Sequence, residues 1–224
     1  MESGFIIINK SSGPTSHDII NQLRRITGIK KIGHAGTLDP FASGVLICAI
    51  GREATREIDA FVKLDKEYIA EIFLGAETDT YDRTGKIKNS ELKTVSLELE
   101  AIKNVINNFI GLQMQIPPMY SAKKINGQTL YKLARKGVEI KRMPNEINIY
   151  DIEILNYSYP IFKLKINCSS GTYIRSLAHD IGHVLGVGAY LKELTRTKIG
   201  KYDIGRAVRI DQVSKENWPS FLFK

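Results

Sequence analysis

Residues 33–50, GHAGTLDPFASGVLICAI, constrain the fold most, because a glycine-rich segment leads directly into an unbroken apolar run. The run Val45–Ile50 predicts a buried strand. A lone carboxylate, Asp39, stands between Leu38 and Pro40 just before that strand. The segment therefore predicts an acid just before a buried strand, where a rigid scaffold can fix the orientation of its carboxylate. An aspartate before proline is also a common turn residue, and the segment alone leaves both interpretations open.

The rest of the chain mixes strand and helix patterns without a strict strand–helix–strand rhythm. Thr15 and Asp18 resemble a capping box at the start of an amphipathic helix that Gly28 ends. The mixture predicts an α+β fold with a mixed, mostly antiparallel sheet flanked by helices. Strands are predicted at 4–9 and 66–75, in INIYDIEILNYSY, in IFKLKINCSSGTYI and in the tail GKYDIGRAVRIDQV, and further helices at 96–110, 128–137 and about 175–185.

Composition bounds the class of protein. The 224 residues suit one large domain or two small ones, and we expect a single catalytic domain over 1–224 because no linker interrupts them. The net charge of +8 favours a polyanionic partner, nucleic acid before a membrane surface. No apolar run reaches membrane-spanning length, so we expect a cytoplasmic protein. Cys48 and Cys168 could pair, but two buried free thiols suit that compartment better.

A basic segment, residues 121–142, holds one acid, Glu139, among seven cations. Cations can neutralise phosphates while rings such as Tyr120 and Tyr131 stack on unpaired bases. We therefore predict contact with an RNA backbone, against the alternative of a solvated helix face with a core tyrosine. The cations are Lys123, Lys124, Lys132, Arg135, Lys136, Lys141 and Arg142.

Several cofactor and nucleophile motifs fail. The stretch GVGAYLKEL lacks the third glycine of a dinucleotide site, and no phosphate-binding loop or serine elbow is present. His179 and His183 in HDIGH could share a metal, but the glutamate of a zinc-protease helix is missing. We expect no metal and no cofactor.

The segment GHAGTLDPFASGVL resembles the signature of the TruB family of tRNA pseudouridine synthases. Further blocks resemble that family in its own order across about residues 4–210. Arg56, Asn9 and Ser11 depart from the usual pattern, and the chain stops soon after Val213, so we expect the C-terminal PUA-like module to be missing or vestigial. The other blocks are NKSSGPTS, KEYIAEIFLGAETDTYDRTG, QIPPMYSAKKINGQTLYKLARKGVEI, CSSGTYIRSLAHDIG and LTRTKIG.

The resemblance implies a pseudouridine-synthase fold with RNA-binding insertions, and Asp39 as the catalytic residue. It implies that Arg175 pairs with that acid, which keeps the carboxylate ionised and aimed. Without the resemblance, an arginine at a helix start and tyrosines in strands are surface and core residues by default. The remaining implied roles are base stacking by Tyr68, packing by Tyr173, holding of the displaced nucleotide by His34, a uracil pocket lined by Leu194, and positions near that pocket for Lys10 and Asp82.

The implied reaction isomerises a uridine in the T-loop of tRNA, at position 55 in tRNA numbering, to pseudouridine. We expect tRNA, through its T-arm stem-loop, as the partner of a monomer that needs no other protein. Three alternatives remain: an acid-dependent glycosidase, which would need a second partnered carboxylate; an RNA-binding or tRNA-folding module without catalysis; and the same reaction on another RNA.

Overall fold

A computed structural model of the chain describes residues 2–89, 97–121, 123–125 and 127–224, with the backbone alone at 89 and 124. The α-helices are α1 (Ser16–Thr27), α2 (Arg52–Glu57), α3 (Asp59–Val62), α4 (Leu99–Asn107), α5 (Leu130–Arg135) and α6 (Ile174–Val184). The strands are β1 (Gly4–Lys10), β2 (Ile32–His34), β3 (Ser43–Ile50), β4 (Lys66–Leu74), β5 (Glu77–Thr78), β6 (Ile87–Asn89), β7 (Gly111–Gln115), β8 (Lys124–Ile125), β9 (Gln128–Thr129), β10 (Asn145–Ser158), β11 (Ile161–Cys168), β12 (Ala189–Ile199) and β13 (Tyr202–Asp203).

The chain divides into two compact units. The first unit comprises the chain up to Tyr68 together with Leu194–Lys224, and the second unit comprises Ile69–Glu193. The sheet pairings include both parallel and antiparallel ladders, so the predicted α+β fold with a mixed sheet is confirmed. The expectation of one catalytic domain over the whole chain stays a prediction.

In the first unit, β3 is the central strand. It pairs antiparallel with β1 along its whole length, from Gly4 opposite Ile50 to Lys10 opposite Gly44. Its other edge is shared, because β2 pairs with residues 48–50 and β12 pairs in parallel with residues 43–44. The chain that joins β2 to β3, residues 35–42, therefore lies at the edge of β3 where the pairing with β2 has ended and the pairing with β12 takes over.

Both faces of β1 and β3 are covered, which explains the unbroken apolar run. One face, with Leu46, packs against Leu23 of α1 and against Trp218, which opens a short 3-10 helix, Trp218–Phe221. The opposite face, with Ile47, packs against Phe61 of α3 and Ile199 of β12. A strand buried on both faces must be apolar at every position, and this strand holds the loop that carries Asp39 in place.

In the second unit, β10 lies between β11 and β7 and pairs antiparallel with both. The strands predicted in INIYDIEILNYSY and IFKLKINCSSGTYI are thereby confirmed as β10 and β11. Helix α4 contacts β10 and α6, and it buries Ile102 and Ile106. Helix α4 ends at Asn107, short of the predicted residue 110, and Phe109 follows in a turn. Residue 96 of that predicted helix lies outside the described residues.

Candidate active site

A short loop of the first unit holds Asp39 at the surface between two buried neighbours, Leu38 and Phe41. The Ser16 hydroxyl at the start of α1 accepts a hydrogen bond from the Leu38 amide at 2.9 Å and donates one to the Leu38 carbonyl at 3.1 Å. The Ala42 amide donates to the Asp39 carbonyl at 3.1 Å and closes the turn. Asp39 is half-buried, and its backbone is anchored on both sides, so its carboxylate projects from a fixed support.

Lys10, at the end of β1, is fully buried below this loop. Its ammonium donates to the carbonyls of Pro14 at 2.8 Å, Ser11 at 3.0 Å and Pro40 at 3.3 Å. Burial lowers the pKa of Lys10 to about 8, and the attraction of Asp39 partly offsets that effect. Lys10 therefore carries a positive charge near neutral pH, and it holds the residue that follows the acid.

Arg196, in β12, is a residue that the sequence analysis did not select. It is 2% exposed, and its guanidinium donates from Nε to the Val45 carbonyl at 2.8 Å and from Nη2 to the Gly36 carbonyl at 3.0 Å. Those carbonyls lie on either side of Asp39 along the chain. The block LTRTKIG, which resembles the family, contained the signal, since it includes this arginine as well as Leu194.

His34 ends β2, and its Nδ1 atom is buried with no hydrogen-bond partner among the described residues. Burial lowers the pKa of His34, and the positive charges of Arg196 and His17 lower it further. The imidazole is therefore neutral at physiological pH, and its predicted role in holding the displaced nucleotide stays a prediction. Tyr68 and Leu194 are both buried, at 8% and 6% exposed, and their predicted roles at the base stay predictions.

In the second unit, Arg175 forms a buried ion pair. Its Nη1 lies 3.3 Å from Oδ2 of Asp82, and both residues are 4% exposed. The same Nη1 donates to the Thr80 carbonyl at 3.0 Å, and Nη2 donates to the Tyr120 carbonyl at 2.6 Å. Arg175 is thus held rigidly in the first turn of α6. Its predicted pairing with Asp39 stays a prediction.

Hydroxyl groups fix the carboxylate of Asp82. The Oδ1 atom of Asp82 accepts from the Thr80 hydroxyl at 2.9 Å and from the Thr84 amide at 2.9 Å. The backbone carbonyl of Asp82 accepts from the Thr78 hydroxyl at 2.7 Å. Tyr81, immediately before it, adopts φ +63°, and its ring stacks on His179 at 4.0 Å. The segment TDTYDRTGKI is therefore a tightly bonded turn that begins in β5 and ends in β6.

Tyr173 precedes α6 and is held through its backbone. Its amide donates to Oε1 of Gln115 at 2.8 Å, and Nε2 of Gln115 donates to its carbonyl at 3.0 Å. Gln115 is buried at the end of β7, so this amide pair fixes the entry into the helix that carries Arg175. The second unit therefore brings Tyr173, Arg175 and Asp82 to one end of α6, whereas the first unit groups Lys10, His34 and Arg196 with Asp39.

The basic segment forms a short exposed helix, α5, with flanking loops. Lys132, Arg135 and Lys136 are exposed, and the Arg135 guanidinium lies 5.5 Å from the centroid of the Tyr131 ring. Lys123 is half-buried and donates to the Asn145 side chain at 2.6 Å. The side chain of Lys124 lies outside the described residues. Lys141 is exposed as well, so four of the predicted cations are accessible to a phosphate backbone, and their contact with RNA stays a prediction.

The described ranges contain neither a candidate metal-binding cluster nor a candidate membrane-spanning helix. Within them, no three His, Cys, Asp or Glu side chains are grouped so that they could hold a metal ion. No helix in the described part of the chain has both the length and the apolarity needed to cross a bilayer.

Two protein-family models match consecutive parts of the chain. Residues 24–174 match the TruB family pseudouridylate synthase N-terminal domain, which is more than half of the sequence. The chain belongs to the TruB family. Residues 175–220 match the model described as the tRNA pseudouridylate synthase B C-terminal domain. The expected absence of a PUA-like module stays a prediction.

Curated relatives and solved structures agree with this membership. A tRNA pseudouridine synthase B of Clostridium tetani is 47% identical over 98% of this chain and 75% of its own length. One of Protochlamydia amoebophila is 49% identical over 89% of this chain and 75% of its own length.

Among solved structures, the chain matches a Cbf5-Nop10-Gar1 complex at 30% identity and TM-score 0.71, over 93% of this chain and 54% of that one. An archaeal box H/ACA sRNP Nop10-Cbf5 complex matches at 29% identity and TM-score 0.71, over 96% of this chain and 54% of that one. The chain spans about half the length of these structural relatives. The predicted pseudouridine-synthase fold and isomerase class are confirmed.

Proposed function

We propose that this protein converts a uridine in the T-loop of tRNA, at position 55 in tRNA numbering, to pseudouridine, with Asp39 as the catalytic residue. The observation that carries the proposal is the family match over residues 24–220, combined with an acid at the sequence position of the family's signature aspartate. The relatives named tRNA pseudouridine synthase B support tRNA as the substrate.

The isomerisation needs no co-reactant. The bond between uracil N1 and the ribose C1′ breaks, the base rotates, and a bond forms between C5 and C1′. The C5 proton leaves and N1 gains a proton, so atoms and electrons balance. Asp39 acts by attack on the sugar carbon, by removal of a ribose proton, or by attack on the base; each route requires an ionised carboxylate.

The charges around Asp39 suit that requirement. The buried ammonium of Lys10 attracts the Asp39 carboxylate and anchors Pro40 beside it. A fixed cation favours the charged form of a neighbouring acid. Arg175 is proposed as a further partner of that acid, and Asp82 as the residue that orients Arg175.

The aromatic and apolar residues would receive the base. A uridine in a folded loop must leave its stack, which costs a few kcal/mol that stacking and phosphate contacts offset. Tyr68 is proposed to stack on the base, and its hydroxyl to take the C5 proton. Tyr173 is proposed to pack against the base, Leu194 to line the uracil pocket, and His34 to hold the displaced nucleotide.

The decisive experiment measures tritium release from tRNA labelled at uracil C5. Asp39→Asn should abolish release while RNA binding by filter retention stays within threefold of the wild-type value. Asp59→Asn, at an exposed position of α3, is the matched control and should release tritium normally. Full activity of Asp39→Asn would remove the aspartate from the mechanism.

A second measurement separates the substrate alternatives. One solved complex that the chain matches is named for an archaeal box H/ACA sRNP, which keeps another RNA as a candidate substrate. Mapping pseudouridine in total RNA from a strain that lacks this protein should show one lost site, in the T-loop of tRNA. A lost site in another RNA with intact tRNA would refute the proposed substrate, and free uracil in the assay would indicate a hydrolase.

A further inference from the structure

We propose that Arg196 is a positioning residue for Asp39: its buried guanidinium clamps both ends of the loop that carries the acid and supplies a fixed positive charge beside it. This inference rests on the proposed function, because it assigns a role in the reaction of that same site.

The clamp follows from the arrangement of strands around β3. Where β2 has ended at His34, the edge of β3 would lack a neighbour, and β12 takes that place with Arg196 in register with Gly44. Its Nε holds the Val45 carbonyl on the strand, and its Nη2 holds the Gly36 carbonyl in the loop. One planar side chain therefore joins two points that are nine residues apart in sequence and that enclose Asp39.

The fork of an arginine is suited to this task. Its donors lie in one plane with fixed separations, so two carbonyls bonded to Nε and Nη2 cannot shift independently. Gly36 adopts φ +79°, whereas an added Cβ would make only an ordinary contact with Nη1 at 3.5 Å, so the backbone conformation that presents this carbonyl to the guanidinium is what favours glycine here. A lysine ammonium would keep the charge but would lose this two-point geometry.

The burial of Arg196 indicates that its charge has a purpose beyond packing. Removing a guanidinium from water costs several kcal/mol, and an apolar side chain of similar volume would stabilise a core at least as well. The acceptors of Arg196 in the described part of the chain are carbonyls rather than a carboxylate. A cation retained under such conditions, bonded to the backbone on both sides of the proposed catalytic acid, suits an electrostatic role in the reaction.

The field of Arg196 reaches the groups that surround the loop. Its positive charge lowers the pKa values of Lys10 and His34 and opposes the effect of burial on the Cys48 thiol. The other charged or titratable groups near these residues in the first unit are His17 and Asp18, on α1. The same charge favours the ionised form of the acid.

The test compares Arg196→Gln and Arg196→Lys with the wild-type chain in steady-state tritium release across pH. Arg196→Gln should lower kcat about 100-fold with KM within threefold, and should move the acidic limb of the kcat profile to higher pH. Arg196→Lys should leave that limb in place but lower kcat about 10-fold, because the charge remains and the fork is lost. Arg206→Gln, at an exposed position, removes the same charge and should leave kcat unchanged.

Proton NMR of His34 gives a readout that folding alone would not move. Its pKa should rise in Arg196→Gln and stay at the wild-type value in Arg196→Lys. If Arg196→Gln does not fold, the lysine variant decides, and wild-type kcat in that variant would overturn the clamp. If the wild-type protein is active and a folded Arg196→Gln variant keeps kcat within twofold of it, this inference alone is refuted. If the wild-type protein is inactive on tRNA, the proposed function is refuted and this inference with it.

Discussion

Replacing Gly44 by alanine should destabilise the first unit by more than its backbone conformation explains. Gly44 adopts φ +106°, in the region that L side chains rarely adopt. An added Cβ would lie 2.8 Å from the nitrogen and 2.9 Å from the carbonyl carbon of Arg196, and closer still to its carbonyl oxygen. These atoms belong to the backbone of β12, so no side-chain rotation relieves the overlap.

The magnitude has two parts. A positive φ costs an alanine about 1–2 kcal/mol, and forcing packed elements apart costs about 1–3 kcal/mol. We therefore expect Gly44→Ala to lower the free energy of unfolding by about 4 kcal/mol. At about 2–4 °C per kcal/mol for a chain of this size, its Tm should fall by about 12 °C.

Gly28→Ala is the matched control. Gly28 also has a positive φ, +72°, but an added Cβ there would meet no atom within 4 Å. This variant should lose about 1 kcal/mol, from conformation alone, and about 3 °C in Tm. Thermal unfolding followed by circular dichroism measures both variants. Equal losses of Tm in the two would show that the close approach of β12 to β3 does not determine the need for glycine.

Three further changes test other parts of the structure. Asp82→Asn removes the carboxylate charge from the buried ion pair with Arg175 and should cost about 3 kcal/mol in urea unfolding. The double variant Lys132→Gln/Arg135→Gln should weaken tRNA binding and reduce the slope of log K against log salt by about 1.4, because each phosphate contact contributes about 0.7. Burial lowers the pKa of Lys10 to about 8 in the folded chain, so above that pH the unfolded chain binds more protons than the folded chain does. The free energy of unfolding of the wild-type chain, relative to that of Lys10→Met, should therefore rise as pH increases from about 8 to 10.5.

Each of these has a control or an excluding result. Asp151→Asn, at an exposed position, should leave urea unfolding unchanged, and an equal loss in both aspartate variants would contradict the role of the buried ion pair. Exposed Lys63 and Lys215 of the first unit, both changed to glutamine, should leave the salt slope as it is. A pH-independent difference between Lys10→Met and the wild-type chain would show that the ammonium has its ordinary pKa in the folded state.

Local signals in the sequence predicted local structure well. The capping box of α1 is present, since Asp18 accepts from the Thr15 amide at 2.8 Å and Thr15 accepts from the Asp18 amide at 3.1 Å. The αL conformation of Gly28 ends that helix as expected. The strand Val45–Ile50 begins two residues earlier, at Ser43. These features depend on neighbours within a few residues, so the sequence contains most of the information that they need.

Non-local packing could not be predicted in this way. Strand β12 was missed because Lys192, Glu193 and Arg196 give it the polarity of a surface segment. Arg196 is buried only because β12 takes the edge of β3 that β2 leaves, a pairing that joins residues about 150 positions apart. Likewise, the ion pair of Arg175 with Asp82 depends on turn geometry that no spacing rule supplies, and only the family resemblance pointed to both residues.

The burial of both cysteines has a practical consequence for experiments. Cys48 and Cys168 are free and fully buried, and burial raises the pKa of the Cys48 thiol, so neither should react readily with maleimides in the folded protein. A cysteine introduced at exposed Lys136 would then be the one thiol open to a fluorescent dye. Its emission could report binding of RNA to the basic helix without replacement of either native cysteine.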